Sequence, residues 1–335
     1  MISFVGAGPG APDLITLRGA ARLANADVVV WASSLVPDSL LDHAPPGVEL
    51  HDSAGMTLED VLDVYAAHPS SAIVRLHSGD PSIYGAIFEQ IRWCIEARRD
   101  FEIVPGVSSL GAAAALLGVE LTVPRIAQSV VMTRLPGRTA ASMPERETVE
   151  AFAAHGTTMA IFLSGARPAQ LQEALLAGGT GFDPATPAAV VVRASWPDEV
   201  VARTTVGSLA ATMASMDSRL TALILVGPAL GALAGADPGP ALGALAGATL
   251  APALGALAGA NPGPDEPGGS AGAGRSHLYS PEYPHRFRRR SANGSTSGRP
   301  RQASPAPPVD NAGRPRPASP APPAGNSGRP RPETT

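Results

Sequence analysis

Lysine is missing from this 335-residue chain, in which all 25 basic residues are arginine. That absence excludes a Schiff-base pyridoxal site, a kinase-type lysine and a Walker A loop, each of which needs an ammonium group at a fixed place. Cysteine is almost missing too. Cys94 stands alone, so an internal disulfide, a cysteine-rich zinc site and a thiolate-held iron–sulfur cluster are ruled out, and a reducing compartment is indicated. The seven histidines show no HxH, HxxxH or HExxH spacing, so no metal is expected. No GxSxG elbow is present, and Cys94 lies on the apolar face of an expected helix, which suits a core residue better than a nucleophile. No apolar run reaches the ~18 residues of a membrane helix, and no basic segment with an apolar core and cleavage site stands at the start. A soluble, cytoplasmic protein without a membrane partner is expected.

What the chain does have is unevenly spread. Residues 1–230 carry 14 arginines against 23 acids, whereas 276–335 carry ten against three. An acidic folded region argues against nucleic-acid binding, which needs a basic surface to displace counterions. The apolar fraction is 44% and the length allows about two domains, while glycine and proline crowd into the last third.

Val- and Ile-rich runs at 2–5, 27–31, 72–76, 101–104, 129–133, 157–163, 188–193 and 222–226 read as strands buried on both faces. Between them the spacing predicts helices. One over 83–98 has Ile83, Ile87, Ile91, Cys94 and Ile95 on a single face, and another starts at the capping-box pattern Thr57-Leu58-Glu59-Asp60 and runs to about Ala67. The class is α/β with mostly parallel sheets. A break near residues 118–125 suggests an N-terminal α/β domain over 1–120 and a C-terminal one over 121–230.

Beyond these, residues 231–275 form a low-complexity insertion built on a 12-residue repeat that starts as ALGALAGADPGP at Ala229. Each unit holds only two or three leucines and closes with proline, too little apolar area to offset the entropy of ordering it as a solenoid. Residues 291–335 form a Pro/Arg-rich tail with a period of 15, expected to be disordered, polyproline-like coil. The aromatic and basic segment 276–290 resembles neither neighbour.

Three strand ends carry glycines and converge on one edge. Val5-Gly6-Ala7-Gly8-Pro9-Gly10 stands where a Rossmann loop would, but Pro9 stiffens it, the next helix starts late, and no acid ends the next strand, so a tight turn is the simpler reading. In His77-Ser78-Gly79-Asp80-Pro81, Asp80 could accept hydrogen bonds from a ligand, or cap a helix starting near Ser82. Pro105-Gly106-Val107-Ser108-Ser109 offers hydroxyls that cap the next helix. Arg134 and Arg138 lie in a loop after a strand, where they could hold carboxylates bidentately or simply be solvated.

As a set these motifs resemble the tetrapyrrole (corrin/porphyrin) methylases. The resemblance rests on VGAGPGAPDLIT from Val5, SSLVP from Ser33, RLHSGDPSIYG from Arg75, EIVPGVSS from Glu102 and ASWPDE from Ala194, and covers residues 1–230, with 276–290 looking like the family's C-terminal end. HSGDPSIYG, SLVP and the segment from Thr133 to Thr139 are the stretches most like those members that methylate precorrin-4, or its cobalt form, at C11 in cobalamin biosynthesis. The chain departs from the family in two extra residues within 137–144 and in its repeats.

The resemblance implies two α/β domains with the active site in the trough between them, a homodimer, and S-adenosylmethionine as methyl donor. It implies that Pro9, Gly79, Asp80, Ile83, Tyr84, Ser108, Ser109, Leu163, Ala194, Thr221 and Ala222 line the donor pocket, with Asp80 the foremost polar contact. The many-carboxylate substrate calls for fixed arginines, first Arg134 and Arg138, then Arg75 and Arg193. No general base can be named. The runners-up are methylation at another ring position and a non-catalytic module that binds the donor or a tetrapyrrole.

Overall fold

The computed structural model describes residues 1–136, 143–177, 181–217 and 221–232. These hold two five-stranded sheets. The first has the order β3-β2-β4-β1-β5, from β1 (Ile2–Gly6), β2 (Val28–Trp31), β3 (Glu49–Asp52), β4 (Ile73–His77) and β5 (Phe101–Val104). All four of its pairings are parallel. The second has the order β6-β7-β10-β8-β9, from β6 (Val130–Arg134), β7 (Thr158–Phe162), β8 (Pro187–Val192), β9 (Val200–Thr205) and β10 (Ala222–Val226). Here only β6 and β7 run parallel, and the other three pairings are antiparallel. Five of the eight pairings are therefore parallel, and all three antiparallel ones lie in the second sheet.

Alternation along each strand feeds two cores, as the period of two requires. In the first sheet Ile2, Phe4, Val28, Val30 and Ile73 face α2 (Leu58–Ala67) and α3 (Phe88–Glu96), burying Val61, Tyr65 and Cys94. Val5, Val29, Val74, Leu76 and Val104 face the other way, onto Leu23 of α1 (Leu17–Leu23) and Leu40. In the second sheet Met159, Ile161, Val190, Ile224 and Val226 pack on α5 (Val149–Ala153), α6 (Pro168–Leu176) and α7 (Leu209–Ala214). Its other face, with Ala160, Ala189, Val191, Leu223 and Leu225, is covered by Ala112, Ala113, Leu116 and Leu117 of α4 (Ser109–Leu117). Each fully buried Val, Leu, Ile, Phe or Met side chain among these contributes about 1.5–3 kcal/mol.

Two expectations are corrected. The helix expected over 83–98 begins only at Phe88, because residues 81–84 form a turn, 85–87 follow it without regular structure, and Tyr84 and Ala86 in this stretch take left-handed backbone angles. Ile83 therefore leaves the helix face, while Cys94 is buried as expected. The edge strands β3 and β9, mostly exposed, were not expected at all. The capping box at Thr57 forms as read, with the Asp60 amide bonded to the Thr57 hydroxyl at 3.2 Å and the Thr57 amide to the Asp60 carboxylate at 2.8 Å.

Candidate active site

In a parallel sheet the carboxyl ends of the strands share an edge, and ligands of open α/β sheets bind there. At that edge the loops after β1, β4 and β5 meet. Gly79 donates its amide to the Gly8 carbonyl at 2.7 Å, and both glycines are left-handed, with φ of 66° and 80°. The β5 loop closes on them so tightly that a Cβ on Gly106 would stand 2.1 Å from the Gly79 carbonyl oxygen and 2.7 Å from the Gly6 Cα. Asp80 ties the loops together, since its carboxylate accepts from the amides of Ser82 at 2.8 Å and Gly106 at 2.9 Å. The reading of Asp80 as cap of a helix starting near Ser82 is thus corrected to the cap of a turn.

The second sheet presents its own edge. Because β10 runs antiparallel to β7 and β8, its amino end lies beside their carboxyl ends. Leu163, Arg193 and Thr221, the residues bordering these strands, have φ of 52°, 50° and 56°. With Tyr84 at 54° they put four non-glycine residues in the left-handed region around one place. Such angles are costly for side chains with a Cβ and persist where the surroundings over-determine them. At Leu163 the neighbour responsible is Ser164. Its buried hydroxyl donates to the Phe162 carbonyl at 2.7 Å and accepts from the Leu135 amide at 2.8 Å.

The two edges are fastened to each other. The Ala11 amide donates to the Ser195 hydroxyl at 2.9 Å, and the Trp196 indole donates to the Pro9 carbonyl at 3.0 Å. Tyr84 and Phe162 bring their rings to 5.2 Å. Between the edges lies a cavity of about 320 Å³. Of the residues expected at the donor, Pro9, Ile83, Tyr84, Ser109, Leu163, Ala194, Thr221 and Ala222 form its wall. Gly79, Asp80 and Ser108 are not part of that wall. Gly79 and Asp80 serve the loop junction, and the Ser108 hydroxyl caps α4 by accepting from the Leu110 amide at 3.2 Å.

Sequence reasoning missed Leu35, Ser78, Phe162 and Trp196 in this wall. Leu35, Ser78 and Trp196 lay within quoted motifs, whereas nothing but register distinguishes Phe162 from its strand neighbours. A second cavity, also about 320 Å³, adjoins the first and includes Pro37, Asp38, Pro197 and Asp198. Arg193 and Trp196 line both. The Arg193 guanidinium lies 4.2 Å from the Trp196 ring centroid and 3.0 Å from the Asp198 carboxylate.

Arg134 ends β6 in register with Phe162, close enough that its positive charge works against the rise that burial imposes on the Tyr84 phenol. Arg138 lies outside the described residues. Arg75 lines neither cavity: its guanidinium donates to the Ser53 hydroxyl at 2.7 Å and its Nε is buried without a hydrogen bond. His77 is buried as well, and burial, aided by the Arg75 charge, lowers its pKa to about 3, so the ring is neutral. Among the described residues no cluster of three or more His, Cys, Asp or Glu side chains could hold a metal, and no helix is long and apolar enough to cross a membrane. The chemistry that such a wall can do is placement. Its described residues offer apolar surface with a few hydroxyls, and among them stands no paired acid and base.

The sequence profile of the Tetrapyrrole (Corrin/Porphyrin) Methylases matches residues 1–210. A cobalt-precorrin-4 C(11)-methyltransferase of Methanocaldococcus jannaschii is 46% identical over 231 residues, covering 68% of this chain and 88% of the relative. A precorrin-4 C(11)-methyltransferase of Pseudomonas aeruginosa is 44% identical over 238 residues, covering 70% and 93%. Among solved structures, a cobalt precorrin-4 methyltransferase described as a cobalamin biosynthetic enzyme superposes with a TM-score of 0.65 at 42% identity, over 68% of this chain and 95% of the other. A uroporphyrin-III C-methyltransferase of Thermus thermophilus, complexed with S-adenosylhomocysteine, gives 0.57 at 28% identity, over 68% and 98%.

Proposed function

The chain belongs to the tetrapyrrole (corrin/porphyrin) methylases, and on that premise we propose that it methylates C11 of precorrin-4 or cobalt-precorrin-4 in cobalamin biosynthesis. The observation that carries the reading is the cavity in which two strand edges meet, walled by eight of the residues that the family motifs assign to the donor. Its dimensions fall at the lower end of those usual for small-molecule sites. Its weakly polar wall suits transfer from a cationic donor whose charge disperses in the transition state, since Ile83, Leu163, Ala194 and Ala222 are apolar and Ser109 and Thr221 bring hydroxyls.

S-adenosylmethionine, when bound, supplies an electrophilic methyl group on a sulfonium centre. The chain's own part is to bind, orient and keep out water. Pro9, Ile83, Tyr84, Leu163, Ala194 and Ala222 enclose the donor, while Gly79 and Asp80 fix the loop on which Ile83 and Tyr84 stand. Holding the reacting carbons at about 3–3.5 Å in line contributes up to ~7–11 kcal/mol through proximity. Such a displacement releases a neutral thioether and asks for no acid at the leaving group, which fits a wall without paired carboxylates. The substrate's carboxylates are held by Arg134 and Arg138, with Arg193 presented to the adjoining cavity. The same proposal includes a cytoplasmic homodimer.

The test is incubation of the purified chain with methyl-labelled S-adenosylmethionine and each form of precorrin-4, followed by mass and methyl-position analysis of the product. One added methyl at C11 is expected. Methylation elsewhere overturns the assignment of position, and donor binding without turnover on either form overturns the enzyme in favour of a binding module.

A further inference from the structure

The turn between β4 and α3 carries the two residues Ile83 and Tyr84 into the cavity wall, and its backbone is unusual. Tyr84 and Ala86 are left-handed at φ of 54° and 51°, and a Cβ on the intervening Gly85 would stand 2.1 Å from the Pro81 carbonyl oxygen. A segment so shaped relaxes unless something holds it.

The holder is a pair of polar side chains sunk beneath it. Gln90, 5% exposed, donates from Nε2 to the Ala86 carbonyl at 2.9 Å. Its Oε1 accepts from the hydroxyl of Tyr65, which is fully buried, at 2.7 Å. From the sheet side, buried His77 faces the backbone of Gly85. Tyr65 belongs to the same apolar cluster as Ile2, Phe4 and Val30. A polar pair there is costly to bury and adds nothing that apolar residues of like volume would lack, except the bond to Ala86.

We propose that Tyr65 and Gln90 form a positioning device for the donor site. Gln90 fixes Ala86, and so sets where Ile83 and Tyr84 meet the ligand, while Tyr65 orients the Gln90 amide. This rests on the reading of the cavity as the donor site.

Calorimetric binding of S-adenosylhomocysteine, alongside thermal melting, tests it. Q90A should raise the dissociation constant about tenfold, one buried hydrogen bond being lost, at a temperature where its circular dichroism is native. Adding A86G to Q90A should restore most of the affinity, because glycine takes the left-handed angle without steric cost. Y65F, a milder change that leaves the fold intact if Q90A does not, should weaken binding about threefold. A lowered melting temperature with unchanged affinity in Q90A and Y65F, or no recovery on adding A86G, overturns the proposal. Absence of binding by the unsubstituted chain overturns the donor-site reading along with it, whereas equal binding by the unsubstituted and substituted chains overturns this inference alone.

Discussion

Replacing Gly106 by alanine should separate the geometry of the loop junction from its chemistry, since only one methyl group is added. The new Cβ would stand 2.1 Å from the Gly79 carbonyl oxygen, 2.7 Å from the Gly6 Cα and 3.0 Å from the Gly6 carbonyl carbon. All three are backbone atoms, so no rotamer change relieves them. Ordinary contact requires the β1, β4 and β5 loops to part by roughly 1 Å or more. A displacement of that size in a site that works by placement lowers kcat/KM by about 10²-fold, and the overpacking costs about 1–3 kcal/mol. For a folded region of this size that lowers Tm by roughly 2–12 °C.

Gly111 supplies the control. It lies on α4, where a Cβ meets nothing within 4 Å, so G111A should stabilise the helix by about 0.5–1 kcal/mol and leave activity unchanged. The assay is steady-state methyl transfer with thermal melting of both variants. Unaltered kcat/KM and Tm in G106A would refute the reasoning.

R134A should raise the apparent KM for the tetrapyrrole about tenfold, with S-adenosylhomocysteine affinity unchanged by calorimetry; an equal loss in both would place Arg134 at the donor instead. His77, with its folded pKa lowered to about 3, stays neutral in the folded state, so its ring proton resonances should hold constant from pH 8 to 5. Its contribution to stability is present above the unfolded pKa of about 6.5 and is lost as pH falls towards the folded value. Glu102, held below its ordinary value chiefly by its hydrogen bond to Arg22, contributes stability above the unfolded carboxylate pKa that is lost as pH falls through the folded one. Urea melts of E102Q should therefore show a smaller loss of stability between pH 5 and pH 3 than the parent chain.

The interior strands were legible because both faces are buried, so β1, β4, β8 and β10 read as continuous apolar runs. Of the four edge strands, β5 and β6 were legible as well, but β3 and β9 were not: six of their ten side chains are exposed, and polar residues break up what apolar run they have. At α3 the periodicity of Ile83 and Ile87 misled, since two isoleucines four apart mark a helix face only where the backbone is helical. The cavity was legible through its loops, which carry motifs, and through the family resemblance at Leu163, Ala194, Thr221 and Ala222, but Phe162 on its strand side was not. Phe162 faces it only by virtue of strand register with Arg134, a long-range property that local sequence does not record. The Gln90 brace was invisible for a like reason, as one partner, Tyr65, is 25 residues away, and the bond to Ala86 one turn back depends on a left-handed backbone that the sequence does not announce.

Helix α4 begins at the cavity with Ser109 and then forms the floor of the second sheet, where Ala112, Ala113, Leu116 and Leu117 contact β7, β8 and β10. A chain cut just ahead of it would leave that sheet with a bare oily underside, and a chain cut just after it would leave the helix no sheet to lie against. Neither half is self-sufficient. Melting should consequently proceed in one concerted step, and a protease that nicks this crossing should destroy ligand capture and solubility together.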